Sequence, residues 1–304
     1  MNITHSLIWI LMITIVTSGV SCSTSTKTTK KENENSHIEN EQADAIPLPS
    51  IPDVIQTPEE RVRYAAEHFW EGLDVERREE WRDTAFMEQS FSNFVAVMQY
   101  GSEEAAQQSV RNLINRVATN DSALKLVEYI AWKYLDEPNS PMRNEDLYII
   151  FLKEYIDNDA LPADLKSKAG DRLNIAVMNR PGTRAADFRM TTRDGVSTSL
   201  STIVGADTTL VIFYDPECEH CKEITGRIAD MSADIPYRIL AVNVEDNCAA
   251  WNDTKWSYPE SWNVAMADTP LQDSELYHFP ALPSLYLLAP GGEVILKDFP
   301  FMAQ

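Results

Sequence analysis

The stretch from Thr209 to Ile224 constrains this chain more than any other. A β-rich apolar run, Leu210, Val211, Ile212, Phe213 and Tyr214, meets a break at Asp215-Pro216, and Cys218-Glu219-His220-Cys221 opens a helical pattern. The order reads strand, turn, dithiol, helix. Disulfide exchange needs one thiol that ionises near neutral pH and a second close enough to close an intramolecular disulfide on it. A helix N-terminus provides for the first, because unpaired backbone N–H groups and the helix dipole favour the anion, and Cys218 falls there. Cys221, nearly one turn further on, provides the second.

Four segments in order share a pattern over about residues 181 to 299. Pro181-Gly182, Ala186-Asp187-Phe188, Asp194-Gly195 and Ser199-Leu200 form a lead-in hairpin, and the strand with its C-E-H-C motif comes second. A strand at Tyr237–Val244 is third, and Leu282-Pro283-Ser284-Leu285-Tyr286-Leu287-Leu288 is fourth. Together they resemble the thioredoxin superfamily, and within it the membrane-anchored thiol-disulfide proteins of the TlpA and ResA type. The resemblance implies an α/β thioredoxin-like C-terminal domain, a central mixed sheet flanked by helices. It also places Pro283 where thioredoxins carry a cis-proline facing the dithiol, with Leu282 lining the substrate groove.

The chain has 304 residues, enough for about two domains. With 26 basic against 47 acidic residues and a net charge of −21, it is not built to neutralise nucleic-acid phosphates. Four cysteines do not make a disulfide-stapled scaffold, so the core must be hydrophobic. Residues 1–21 carry no Lys, Arg, Asp or Glu and hold an apolar run, Leu7 to Val16, followed by small residues and Cys22. The run is short for a membrane span and reads as an export signal of the lipoprotein kind, with Cys22 expected to carry the lipid. Simple secretion and an uncleaved anchor are the alternatives; the missing n-region Lys or Arg, and Gly19 where leucine is common, depart from the lipoprotein pattern. Residues 22–56 are polar, then Pro-rich, a composition expected of a tether.

From residue 57 to 178 the apolar period is helical. Thr57-Pro58-Glu59-Glu60 is a start signal, with Val62, Ala66, Phe69 and Leu73 on one face. Further helices are expected over about 78–98, after Gly101-Ser102, and over about 123–135, 145–156 and 163–178, giving an N-terminal all-α domain without a repeat. Tyr134 to Tyr148, Y-L-D-E-P-N-S-P-M-R-N-E-D-L-Y, resembles the signature of an uncharacterised helical domain that precedes thioredoxin-like domains in lipoproteins of Gram-negative bacteria. Read from the residues alone it is a Pro-rich turn packing Tyr134, Met142 and Tyr148. Trp70, Trp81 and Trp132 are expected in the core.

In the C-terminal domain, 179–304, Cys218 is expected to attack and Cys221 to resolve. His220 adds positive charge or a hydrogen bond that favours the Cys218 thiolate, whereas Glu219 pulls the other way. Three positions depart from the resemblance. Ile212 occupies the place of a buried proton-shuttling aspartate. Ile224 stands where a glutamate is common, with Glu223 one residue and about 100° away on the helix. Only Pro300 to Gln304 follow the last strand, 293–299, so a closing helix is expected to be missing or supplied elsewhere. Cys248 is expected to be a buried single thiol, and Trp251, Trp256 and Trp262 to pack the fold.

Other chemistries fit less well. Zinc would need two more ligands, with only Cys248 and His278 distant and unpaired. The peroxiredoxin pattern would need a Pro and a Thr or Ser where Asp215 and Val211 stand, and haem attachment a His where Lys222 stands. The expectation is a lipid-anchored, periplasm-facing thiol-disulfide oxidoreductase of the cell envelope, with no cofactor or metal beyond its cysteine pair. Its expected partners are client proteins bearing cysteines or disulfides, a membrane electron-transfer partner, and the membrane itself through lipid on Cys22. A non-enzymatic client-binding lipoprotein is the alternative. Reduction is slightly favoured over oxidation, and the direction stays open.

Overall fold

The computed structural model describes residues 45–77, 83–232, 234–271 and 274–298. The expected signal peptide, Cys22, most of the expected tether and Trp81 lie outside them. Among the described residues no helix is long and apolar enough to cross a membrane.

Six α-helices precede residue 177 among the described residues: α1 Pro58–Glu67, α2 Thr84–Met98, α3 Glu103–Val117, α4 Asp121–Leu135, α5 Glu145–Asp157 and α6 Ala163–Ala176. Side-chain caps explain most of the starts. Thr57, Asp83, Ser102, Asn120 and Asn144 each accept a backbone N–H of the first turn, satisfying donors that a helix leaves orphaned. At Thr57 the hydroxyl also donates to Glu60 Oε2 at 2.9 Å, so the start signal read from the sequence forms with the Thr57 and Glu60 side chains joined. The first helix is shorter than its stripe implied: it ends at Glu67, and Phe69–Gly72 continue as a 3-10 turn that buries Phe69 and Trp70. Similarly, the sixth ends at Ala176, with Val177 as its cap.

These helices enclose one apolar cluster, centred on Phe91, Phe94, Phe151 and Trp70 with ring centroids 5.2–6.4 Å apart along the chain of contacts. Some buried polar groups inside it are paired, while Trp70 Nε1 and Tyr155 OH are buried without a hydrogen-bond partner. Ser90 Oγ donates to Phe86 O and receives the N–H of Ile46, and Glu154 receives two bonds from Arg111 at 2.8 and 3.2 Å. Trp70 and Tyr148 are buried as expected, and Tyr134, Trp132 and Met142 pack on the same cluster.

From residue 189 a seven-stranded mixed sheet follows in the order β2-β1-β5-β4-β3-β6-β7. The strands are β1 Arg189–Thr192, β2 Ser197–Ser199, β3 Thr209–Tyr214, β4 Arg238–Asn243, β5 Asn263–Ala267, β6 Ser284–Leu288 and β7 Val294–Lys297, with helices α7 Leu200–Val204, α8 Glu219–Asp230 and α9 Cys248–Thr254. Strands β3, β4 and β5 are parallel; β6 is antiparallel to β3, and β7 to β6. All six residues of β3 are buried, which is why its sequence is continuously apolar rather than alternating. Alternate side chains serve two cores: Leu210, Ile212 and Tyr214 meet α8, while Val211 and Phe213 join Phe188, Tyr277, Phe279 and Tyr286 on the opposite face.

Two expectations are corrected here. Cys248 is exposed rather than buried, because it is the first residue of α9, where the chain turns out from β4 and Asn247 caps the helix. Trp256 does not pack the fold. It is 61% exposed, with the Arg193 guanidinium carbon 5.7 Å from the centre of its ring, whereas Trp251 and Trp262 are buried.

Candidate active site

The central strand delivers the dithiol. At the end of β3 the chain turns through Asp215-Pro216-Glu217, where Asp215 Oδ1 receives the N–H of Glu217 at 2.8 Å and Asp215 O that of Cys218 at 3.2 Å. Cys218 is then the cap of α8: its Sγ receives the N–H of Cys221 at 3.2 Å, the role a Ser or Asp oxygen plays elsewhere. Backbone donors and the positive end of α8 are thereby directed at the half-buried sulfur, a setting suited to negative charge there. Cys218, Cys221 and Cys248 are free thiols in this structure.

Cys221 has the opposite environment. It is 1% exposed within the cluster formed by Ile212, Tyr214, Ile224 and Trp262. Burial pushes its thiol well up, and the hydrogen bond with Cys218 adds to this, so Cys221 is held protonated. Ile212, at the strand position discussed above, offers no carboxylate. The charges that reach Cys221 come from Cys218 and Asp215, both raising it further. Tyr214 and Tyr258, ring centroids 5.3 Å apart, belong to the same cluster and are both raised chiefly by burial. Sequence reasoning missed Tyr258, since nothing local to Ser257-Tyr258-Pro259 points to a thiol 37 positions earlier.

The other wall is the β6 entrance. The Leu282–Pro283 peptide is cis, and the Leu282 carbonyl oxygen lies 3.9 Å from Cys218 Sγ. The structure thus brings together Cys218, Cys221 and the Leu282–Pro283 segment. His220 is beside them but points outward, 64% exposed, with Nδ1 3.8 Å from Glu223 Oε2. Glu219, whose charge would oppose the Cys218 anion, receives the Lys222 ammonium at 2.7 Å. Glu223 is exposed as its one-residue offset suggested, and receives Arg227 at 2.8 Å. Asn247, the cap of α9, donates to Glu217 just ahead of Cys218.

A second group of residues supports Pro283 from outside the dithiol, and no local pattern in the chain points to it. Ser284 Oγ donates to Asp298 Oδ1 at 2.5 Å, and Asp298 Oδ2 receives Arg143 of the loop between α4 and α5 at 3.3 Å. Next to Asp298, Lys297 Nζ donates to Glu145 Oε1 at 2.7 Å and to Met178 O at 2.9 Å. Through Asp298 the helical domain is therefore linked to the residue that follows Pro283. Among the described residues no group of three or more His, Cys, Asp or Glu is arranged to hold a metal ion.

Comparison with known proteins bears on the fold. The crystal structure of a thioredoxin-like protein from Bacteroides caccae is 27% identical, with a TM-score of 0.74, covering 84% of this chain and 94% of that one. A likeness of that extent takes in both domains. A conserved protein of unknown function from Bacteroides fragilis is 29% identical over 40% of this chain and 93% of that one, with a TM-score of 0.37. The thioredoxin domain of a thiol-disulfide oxidoreductase from Bacteroides vulgatus is 19% identical over 40% of this chain and 89% of that one, with a TM-score of 0.34. The comparison with curated proteins gives no match. The C-terminal domain is a thioredoxin-like domain of the thioredoxin superfamily. The helical domain ahead of it is matched over residues 21–179 by the family model described as Domain of unknown function (DUF5106), and with more than half of its 304 residues in that match the chain belongs to that family.

Proposed function

We propose that this chain is a thiol-disulfide oxidoreductase of the cell envelope, anchored by lipid on Cys22 and acting on client proteins through Cys218 and Cys221. The observation that carries the reading is the division of labour between the two sulfurs. Cys218 caps α8, accepts a backbone N–H and adjoins the Leu282 carbonyl, while Cys221 is buried and held protonated.

In the reducing direction the Cys218 thiolate attacks one sulfur of a client disulfide. The client S–S bond breaks, a Cys218–client mixed disulfide forms, and the first client sulfur leaves as a thiolate. Cys221 then passes its proton to the released client thiolate and attacks Cys218 Sγ. The mixed disulfide breaks, the second client thiolate leaves, and the Cys218–Cys221 disulfide remains, two electrons having passed to the client. The reverse sequence oxidises a client dithiol. Reduction of the resulting disulfide calls for an electron donor, which for a lipid-anchored protein is a membrane partner. Pro283 is proposed to position the client strand and His220 to modulate the Cys218 anion.

The test is the reduction potential of the Cys218–Cys221 couple, titrated against glutathione with Cys221→Ser as control. A value near −270 mV, that of thioredoxin, supports a reductant, and one between about −180 and −120 mV supports an oxidase or isomerase. If no reversible couple forms, the domain is a client-binding module instead.

A further inference from the structure

We infer that residues 136–144, the loop between α4 and α5, form one wall of the groove that receives the client, and that this wall selects an uncharged extended segment beside the client's cysteine. The inference rests on the oxidoreductase reading and adds to it which part of the helical domain touches the client and what chemistry it accepts.

A cavity of about 750 Å³ opens beside the dithiol, within the range of about 300–1,000 Å³ typical of binding sites. Pro138, Asn139 and Pro141 bound it on one side, His220 and Ile224 of α8 on another, and Pro283 on a third. Neither Cys218 nor Cys221 lines it. It adjoins them through His220, which lies between the two cysteines in sequence, and through Pro283, whose neighbour Leu282 faces Cys218 Sγ. A segment flanking a cysteine bound at Cys218 therefore has this space on one side.

The wall is formed before any client arrives. Ser140 Oγ donates to Tyr134 O at 2.6 Å and receives Met142 N–H at 3.2 Å, Asn139 N–H donates to Glu137 at 3.0 Å, and Arg143 reaches Asp298. Its charges are already matched. Arg143 pairs with Asp298, Lys297 with Glu145, and Arg227 with Glu223, which also faces His220. The remaining lining is mostly proline, alanine, isoleucine and leucine with small polar groups. Among the described residues a charged client side chain would find no free partner in this space, which disfavours it relative to an uncharged chain.

The test compares second-order rates of disulfide reduction by the reduced chain on four oxidised substrates. These are glutathione disulfide and three disulfide-linked peptides whose cysteine is flanked by valine and alanine, by lysine, or by glutamate. We expect wild type to favour the apolar-flanked peptide over both charged ones by about tenfold, the difference lost in a Pro138→Glu, Pro141→Glu double variant. That the double variant is folded is checked by its urea-unfolding midpoint, which should stay close to that of wild type, since those positions are exposed. Asn139→Arg, also exposed, should raise the glutamate-flanked peptide over the lysine-flanked one, a gain that misfolding cannot produce. Equal rates on all three peptides in wild type, or preferences unchanged in both variants, would overturn the inference while leaving the oxidoreductase reading intact. Absence of exchange with glutathione disulfide in wild type would overturn that reading, and this inference with it.

Discussion

Arg143 and Asp298 are 155 positions apart, yet their side chains meet at 3.3 Å, with Asp298 only 8% exposed. Because Asp298 also receives Ser284 Oγ, this pair ties a loop of the helical bundle to the residue after Pro283. The neighbouring Lys297–Glu145 pair, with the lysine side chain 7% exposed, repeats the connection one residue earlier. The two domains thus meet through polar contacts at the edge of the redox site.

Removing one member of these pairs should cost more than removing both, because it leaves a charge without a partner in a shielded place. Lys297→Ala should lower stability by about 1–3 kcal/mol, discounted from a fully buried pair because Glu145 keeps some contact with water. Lys297→Met combined with Glu145→Gln should recover much of that loss. Urea unfolding of the three proteins would show it, and equal losses in both variants would mean that the pair itself contributes little.

Burial should separate the thiols kinetically. In the reduced native chain Cys221 is 1% exposed, whereas Cys218 is half-buried and Cys248 exposed. Iodoacetamide at neutral pH should alkylate Cys218 and Cys248 at least about tenfold faster than Cys221. Peptide mapping by mass spectrometry after timed quenching measures the three rates directly, and comparable labelling of Cys221 would contradict its enclosure.

Stability should fall on the alkaline side, and the sign follows from Cys221. Its folded-state pKa is raised, chiefly by burial, above the ordinary thiol value of about 8.5, so the native state keeps a proton that the unfolded chain releases. The contribution is complete below pH about 8.5 and is lost as pH rises above it, by up to about 1.4 kcal/mol per pH unit. Tyr148, pushed up to about 12 by burial, adds a second decline from about pH 10. Denaturant titrations of the reduced chain at pH 7, 9, 10 and 11 should show both phases, and Cys221→Ser should lack the first. A flat profile between pH 7 and 9.5 in wild type would refute the assignment.

Phe213→Ala tests the face of the sheet opposite α8. Phe213 is 1% exposed and has Phe188, Tyr277, Phe279 and Tyr286 within 4.8–6.1 Å of its ring centre. The cavity left behind should cost about 3–5 kcal/mol. A loss below about 1 kcal/mol in calorimetric or urea unfolding would mean that the surrounding rings collapse into the space.

What the sequence determined by itself was local. The start of α1 follows from Thr57 and Glu60, the buried central strand from an uninterrupted apolar run, and the dithiol helix from the turn at Asp215-Pro216, because caps, periodicity and turn chemistry act over a few residues. That Pro283 should face the dithiol was implied by the family resemblance of four segments in order, not by any local signal. Exposure at Cys248 and Trp256 escaped, since composition says what a side chain prefers and only the path of the chain after β4 says where it ends up. The bonds from Arg143 to Asp298 and from Ser284 to Asp298 were likewise decided by tertiary structure alone. Arg143 is one polar residue among several in a turn, and its partner is 155 positions away, brought within reach only when the bundle and the sheet have each folded.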